Sequence, residues 1–178
     1  LGDVYKRQVY AVSDGRISKV DFENKTLVKT ALPAVRNATS DGRFIATIPY
    51  GDNAIITYDS ALNEKETYGS KSAKDKWFDS PEKVFSENGN IAVWDKSNAR
   101  VQFFFSDGTY KKLSVSKNAT SVAVNTTHTA YTDGKKVYVV NNADFSLREI
   151  NTDKNVGAIS LTNDAVAIYD KNSKAIYT

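Results

Sequence analysis

The chain has 178 residues, of which 40% are hydrophobic, 11% aromatic and 25% charged, a composition typical of a globular domain and unlike that of a disordered one. A formal net charge of +3 is too small for a nucleic-acid-binding surface, and no run approaches the roughly 18 apolar residues that span a bilayer. The sequence has no cysteine and one histidine, His128, which excludes disulfides, thiol nucleophiles and paired-histidine metal sites.

The first eight residues, LGDVYKRQ, resemble the translated read-through of a sequencing adapter, and the sequence contains no methionine. We therefore expect residues 1–8 to lie outside the fold and the folded part to begin at Val9. If the chain is cut upstream, its natural N-terminus and any signal peptide lie outside this sequence.

A short strand-like segment with a central alanine recurs five times along the chain. The alanines are 35, 46, 38 and 37 residues apart, about 39 on average: Ala11, Ala46, Ala92, Ala130 and Ala167. Another small or apolar segment comes shortly before each of the last four alanines, and a turn rich in Gly, Asn, Asp or Thr separates the two. Gly and Asn accept the positive φ that a tight hairpin requires. These repeats therefore predict an antiparallel hairpin.

Two further strand-like runs follow the alanine in most repeats. The run KVYV at 136–139 alternates apolar and polar residues, the period-two pattern of a half-buried strand, and a more polar run follows at 146–150. Frequent Gly, Asn and Asp would break any helix before its nucleation cost was recovered. Four short antiparallel strands per repeat predict an all-β fold, a β-propeller with one blade per repeat.

The predicted blades cover residues 9–32, 35–69, 82–117, 119–152 and 156–178. The first blade lacks its first strand and the last lacks its fourth, which makes about 4.5 four-stranded blades, and propellers close with about 4–8 blades. Either residues 157–161 complete the first blade of a four-bladed ring, which leaves residues 164–178 without a place, or the chain is an open arc of a six- to eight-bladed propeller. We favour the arc, and we expect the missing blades of the same chain to be partners of this segment.

The runs SDGRFIA at 40–46 and DNAIITYD at 52–59 resemble the repeats of bacterial YVTN-type, WD-repeat-like propellers, and the similarity extends over residues 9–178. This resemblance implies a fold rather than an activity. The dipeptide Trp94-Asp95 is not the WD signature, because that signature closes the third strand of a blade and Trp94-Asp95 closes a predicted second strand. Tyr58-Asp59 occupies the place of the signature.

The sequence contains no combination of residues that indicates catalysis. His128 opens a predicted strand, and no Gly-x-Ser-x-Gly or comparable nucleophile accompanies it. Asn151-x-Asp153-x-Asn155 resembles a calcium loop, but its glycine is at the seventh position and Thr162 stands where glutamate is required. Most of the following aspartates are expected to bond the backbone of their own turns: Asp41, Asp52, Asp59, Asp79, Asp95, Asp133 and Asp170. We therefore expect no catalytic residue, no metal and no cofactor.

The largest insertion in the repeat pattern is SKSAKDKWFDSP at 70–81, which joins the last strand of one blade to the first strand of the next. In a propeller such a loop lies on the same face as the loops between second and third strands, here 50–53 and 95–98. An aromatic pair flanked by Lys and Asp on that face suits partner binding, since Trp and Tyr are favoured hot spots. The candidate binding residues are Tyr50, Asp52, Trp77, Phe78, Asp79 and Asp95. The alternative is that Trp77 and Phe78 fold back over the blade and serve only packing.

These observations predict a non-enzymatic, extracytoplasmic binding scaffold that presents loops to a protein or a cell-surface glycan. The absence of cysteine together with abundant Asn, Ser, Thr and Lys is typical of an exported bacterial protein, which would be extracellular, periplasmic or on the cell surface. Two alternatives stay open. One is the propeller part of an enzyme, such as a lactonase-like hydrolase, with its catalytic residues in missing blades, and the other is a cytoplasmic protein-interaction propeller. The fold alone does not choose among them.

Overall fold

The computed structural model describes residues 10–13, 15–21, 23–29, 32–69 and 76–178. In these residues the chain consists of β-strands and the segments that join them. The described residues contain no helix that is long and apolar enough to cross a membrane. The segment predicted to derive from an adapter, residues 1–8, lies outside the described residues.

The strands form five antiparallel sheets in chain order, and hydrogen-bonded neighbours are consecutive in sequence throughout. We call these sheets blades 1 to 5. Blade 1 contains β1 (Tyr10–Ser13), β2 (Arg16–Asp21) and β3 (Thr26–Lys29). Blade 2 contains β4 (Val35–Ser40), β5 (Ile45–Pro49), β6 (Ile55–Tyr58) and β7 (Glu64–Tyr68).

Blades 3 and 4 also have four strands, whereas three strands are described for blade 5. Blade 3 contains β8 (Pro81–Glu87), β9 (Asn90–Asp95), β10 (Arg100–Phe104) and β11 (Tyr110–Ser114). Blade 4 contains β12 (Ser121–Val124), β13 (His128–Thr132), β14 (Lys136–Asn141) and β15 (Leu147–Asn151). Blade 5 contains β16 (Val156–Leu161), β17 (Val166–Asp170) and β18 (Ile176–Tyr177).

The turn between β8 and β9 illustrates why these runs fold as hairpins. Glu87 pairs with Asn90, so the loop is only Asn88 and Gly89, and both have positive φ, 53° and 81°. This is the conformation of a two-residue type I′ turn, whose twist matches that of the flanking strands and which Asn-Gly adopts readily. The predicted hairpin is confirmed here, and its turn residues are the physical cause.

The hydrophobic core lies between neighbouring blades rather than inside any one of them. Ala46 belongs to the cluster that joins blades 2 and 3, Ala92 to the cluster of blades 3 and 4, and Ala130 to the cluster of blades 4 and 5. All three alanines are buried. Because a methyl side chain keeps the sheets close, the recurrent alanine sets the spacing between blades.

Hydrogen bonds at repeated positions also join the inner strands of successive blades. The Val84 N–H donates to Asn37 Oδ1 at 3.0 Å, and the Ile159 N–H donates to Ser121 Oγ at 3.2 Å. Between the turns that precede the recurrent alanines of blades 2 and 3, Asp41 Oδ2 accepts the Gly89 N–H at 2.6 Å. These bonds satisfy backbone groups that would otherwise face the blade boundary, and they fix the register of one blade on the next.

The blades form an open arc. Strand β16 pairs with β17, and among the described residues the sheet of β1 consists of β1, β2 and β3. Residues 157–161 therefore do not complete blade 1, and the four-bladed ring is excluded. Apolar side chains stay exposed at both ends of the arc, Leu27 to 56% and Ile176 to 72%. The predicted fold class, an all-β arc of four-stranded propeller blades, is confirmed.

Candidate functional site

One face of the arc is built from two kinds of segment: the turns between the second and third strands of each blade, and the segments that lead into the first strand of the next blade. We call it the loop face. Its residues are 32–34, 50–54, 76–80, 95–99, 116–120, 133–135, 152–155 and 171–175. Its two kinds of segment are joined by backbone hydrogen bonds. The Tyr50 N–H donates to the Ala34 carbonyl at 2.9 Å, and the Lys96 N–H donates to the Ser80 carbonyl at 3.0 Å. The described end of the 70–81 insertion therefore lies beside the 95–98 turn, as the sequence predicted.

Asp95, at the end of β9, is completely buried beneath this face. Its Oδ1 accepts the N–H groups of Asp79 and Ser80, each at 3.1 Å. Its Oδ2 accepts Asn98 Nδ2 at 2.7 Å and Arg100 Nε at 3.1 Å. Asp95 was predicted as a candidate binding residue; the structure places it beneath the loop face, where its oxygens hold the insertion and the turn together.

Trp77 is held by its backbone and leaves its ring partly open. Its carbonyl accepts Arg100 Nη2 at 2.6 Å and Gln102 Nε2 at 3.1 Å. Gln102 is buried and accepts the Tyr110 hydroxyl at 2.5 Å. The Arg100 guanidinium lies 5.8 Å from the centre of the Trp77 ring, and Trp77 is 38% exposed. The polar network thus fixes the backbone of a residue whose aromatic side chain is accessible on the loop face.

Phe78 points the opposite way and is buried between blades 2 and 3. Its ring packs edge-on against Phe104 at 5.9 Å, and a Cβ added to Gly69 would lie 2.0 Å from the Phe78 ring. Gly69 has a φ of +77°, so a side chain is excluded there by both space and conformation. Phe78 is therefore a core residue. For this side chain the structure agrees with the alternative in which it folds back over the blade and serves packing.

The remaining candidates lie on the loop face near blades 2 and 3. Tyr50 is 60% exposed, and its ring covers Gly15, where a Cβ would be 2.7 Å from a ring carbon. Asp52 is exposed, and its backbone carbonyl accepts Arg36 Nη2 at 3.0 Å. Asp79 is exposed and bonds Asp95 through its N–H. The structure places Tyr50 and Asp52 by blade 2 and Trp77 and Asp79 by blade 3, on one face.

Several turn aspartates bond their own backbone, as predicted. The Asp59 carboxylate accepts the N–H groups of Ala61 and Asn63 at 2.9 and 3.0 Å, and these bonds lower its pKa, with the Asn63 N–H contributing most. The pKa of Asp170 is lowered chiefly by the Ser173 hydroxyl, which donates at 2.7 Å. These carboxylates stabilise their turns as anions.

Two clefts between blades escaped the sequence analysis. One, of about 620 Å³, lies between blades 2 and 3, and the other, of about 560 Å³, lies between blades 4 and 5. His128 lines the second cleft, with Nδ1 2.9 Å from Thr127 Oγ1. Each cleft combines residues from two different repeats, spread over 50 or more positions of the chain, so no local run of sequence signals it.

No protein-family model and no curated protein matches the chain. Solved structures do match. Virginiamycin B lyase from Staphylococcus aureus is 15% identical, with a TM-score of 0.64 over 94% of this chain and 67% of that one. Hsv2 from Kluyveromyces marxianus is 13% identical, with a TM-score of 0.68 over 96% of this chain and 56% of that one.

A third structure is the extracellular domain of the putative one-component system BT4673 from B. thetaiotaomicron. It is 12% identical, with a TM-score of 0.68 over 92% of this chain and 25% of that one. The chain thus spans 67% of the lyase and 56% of Hsv2. These matches support a β-propeller and not the YVTN or WD-repeat family in particular. By its blades and its structural neighbours, this chain is an open arc of a β-propeller.

Proposed function

We propose that this chain is a non-enzymatic binding scaffold whose loop face recognises a protein or a cell-surface glycan. The observation that carries the proposal is the partly exposed ring of Trp77 on a backbone held by two hydrogen bonds to its carbonyl. A segment whose backbone is already held in place loses less conformational entropy when a partner binds. Trp and Tyr are also the side chains most enriched among binding hot spots, and Tyr50 exposes a second ring on the same face.

The charges around Trp77 suit a polar partner. Arg100 lies over the ring, and the Asp79 side chain is exposed beside it. A partner that stacks on the indole can therefore bond to a cation or a carboxylate at its edge, which is the combination of apolar contact and directed hydrogen bonds that gives specificity.

We further propose an extracytoplasmic location and a ring completed by other blades of the same chain. The absence of cysteine and a structural neighbour that is an extracellular domain support the location. The exposed apolar side chains at the two ends of the arc, Leu27 and Ile176, support the further blades, because burying such side chains against a neighbouring sheet is favourable.

The test is sedimentation of the chain with intact bacterial cells and with purified peptidoglycan sacculi. We expect Trp77→Ala to weaken binding by about 2 kcal/mol, because the ring leaves while the backbone hydrogen bonds that hold the segment stay. Protease treatment of the cells removes binding if the partner is a protein and leaves it if the partner is a glycan.

The matched control is Tyr177→Ala in blade 5. Tyr177 is exposed to a similar degree, 37%, and Lys154 Nζ lies 4.8 Å from its ring centre. Equal binding by the native chain and a folded Trp77→Ala variant, or equal losses in both variants, would contradict the proposal.

A further inference from the structure

The cleft between blades 2 and 3 has aromatic walls. It lies where the outer strands of blade 2, β6 and β7, face β10 of blade 3, and its volume of about 620 Å³ is within the range of small-molecule sites. Tyr68 and Phe104 line it with their ring centres 5.0 Å apart, and Phe44 and Phe105 lie along it. Both blades have all four strands, so the cleft belongs to the blade boundary itself and not to an end of the arc.

Among the described residues, two carboxylates line this cleft, Asp59 and Glu66, and both accept hydrogen bonds from the protein. Asp59 accepts the Ala61 and Asn63 N–H groups, and its pKa is lowered chiefly by its hydrogen bonds to Asn63 and also by the charge of Lys65. Glu66 accepts the hydroxyl of Tyr68, and this bond together with burial raises the pKa of the Tyr68 hydroxyl. Neither acid neutralises a cation of the cleft within 4 Å.

Among the described residues, the cations of the cleft form no ion pair within 4 Å. The side chains of Arg43 and Lys65 make no hydrogen bond to a described residue, although the charge of Lys65 contributes to the lowered pKa of Asp59. The Lys76 ammonium lies 5.1 Å from the centre of the Tyr110 ring, and Arg43 Nη1 would be 2.9 Å from a Cβ added to Gly89 of the neighbouring blade. Cations that form no close ion pair, beside aromatic walls, attract an anion.

The chain topology brings Arg43 and Lys65 to the same end of the cleft. Arg43 lies in the turn between β4 and β5, and Lys65 follows the turn between β6 and β7. In an antiparallel sheet with consecutive strands these two turns are at the same edge. Lys76 also lines the cleft, with its ammonium 5.1 Å from the centre of the Tyr110 ring.

We propose that this cleft binds a small anionic ligand with a flat ring, whose acidic group contacts Arg43 and Lys65 and whose ring lies against Tyr68 and Phe104. The shared chemistry is an anion attached to an aromatic ring, and a nucleotide and an aromatic acid both provide it. The site is separate from the loop face, so its test is independent of the binding function proposed there.

The experiment is isothermal titration of the full chain with four compounds. Adenosine monophosphate and 4-hydroxybenzoate each carry both an anion and a ring, inorganic phosphate carries only the anion, and adenosine only the ring. We expect at least one of the first two to bind about tenfold or more tightly than phosphate and adenosine, and the one that binds identifies the source. Binding should weaken as salt is raised, because the cations are near the surface.

The decisive variant is Arg43→Gln combined with Lys65→Gln, which should reduce the affinity about tenfold or more while the circular dichroism melt stays unchanged. The matched control is Arg148→Gln, since Arg148 lines the cleft between blades 4 and 5 and should not affect binding here. The proposal is overturned if neither two-part compound binds more tightly than its separate parts, or if the double variant and the control bind alike.

Discussion

The Asp95 carboxylate lies at the centre of a hydrogen-bond network under the loop face. Its partners come from the insertion, from the following turn and from β10: Asp79, Ser80, Asn98 and Arg100. A buried carboxylate with this many donors is stable only while all of them stay in place. Asp95 therefore helps to set the position of the segment that carries Trp77, although Asp95 itself is completely buried.

Replacing Asp95 with alanine is expected to destabilise the chain by about 3 kcal/mol. The substitution leaves Arg100 Nε, Asn98 Nδ2 and two backbone N–H groups without the acceptor that Asp95 supplies at a completely buried position. Urea unfolding followed by circular dichroism measures the difference in the free energy of unfolding.

Asp52→Ala is the matched control for that measurement. The Asp52 carboxylate is exposed and has no hydrogen bond to any described residue, so its removal should change the free energy of unfolding by less than about 0.5 kcal/mol. Equal effects of the two substitutions would show that the Asp95 network does not stabilise the fold.

Adjacent blades are held together by small side chains and by backbone hydrogen bonds that cross the boundary. Ala130 is completely buried and packs in one cluster with Val137, Val156 and Ile159. Cross-boundary bonds such as Ser121 Oγ to the Ile159 N–H require the same short distance between sheets. The blade is therefore a unit only together with its neighbour, as is general for repeat proteins.

At this scale we predict that Ala130→Leu destabilises the chain by about 1–3 kcal/mol, because the added carbons overpack the boundary between blades 4 and 5. Ala143→Leu is the control, since Ala143 is exposed in a turn of the same blade. Thermal unfolding measures both. A neutral Ala130→Leu would mean that the blades have room to separate and that the alanine does not set their spacing.

The recurrent alanine, together with the turn residues and strand-like runs around it, predicted which strands pair and in which order. Successive strands are separated by short connections, such as Asn88-Gly89. An antiparallel meander is therefore the arrangement that closes these loops at the smallest entropy cost. The direction of Phe78 was not predictable from that pattern. Its burial depends on the space left by Gly69, nine residues earlier, and on the Phe104 ring of blade 3.

As a whole, the arc leaves apolar surface on its two outer sheets. Leu27 of blade 1 and Ile176 of blade 5 are exposed. An uncovered blade face with several core-type side chains forgoes on the order of 10 kcal/mol, and the stability of an entire domain is only about 5–15 kcal/mol. The arc by itself is therefore close to the limit of stability.

We predict that this chain, expressed alone, dimerises, aggregates or unfolds without a sharp transition. Size-exclusion chromatography with light scattering gives its mass in solution, and calorimetry gives the shape of its transition. Leu27→Lys combined with Ile176→Lys should reduce self-association, because each places a charge on an outer sheet. A monodisperse native monomer with one sharp cooperative transition would contradict this prediction.

The sequence by itself determined the strands, their antiparallel order and the number of blades, because these depend on local periodicity, on turn residues and on a repeat that can be read along the chain. It also placed the insertion on the loop face. Only the tertiary structure decided that Asp95 and Phe78 are buried while Trp77 is accessible, and only it revealed the cation-lined cleft between blades 2 and 3. The reason is physical: whether a side chain is buried or its charge is paired depends on atoms of another blade. The residues next to it in sequence therefore do not indicate either property.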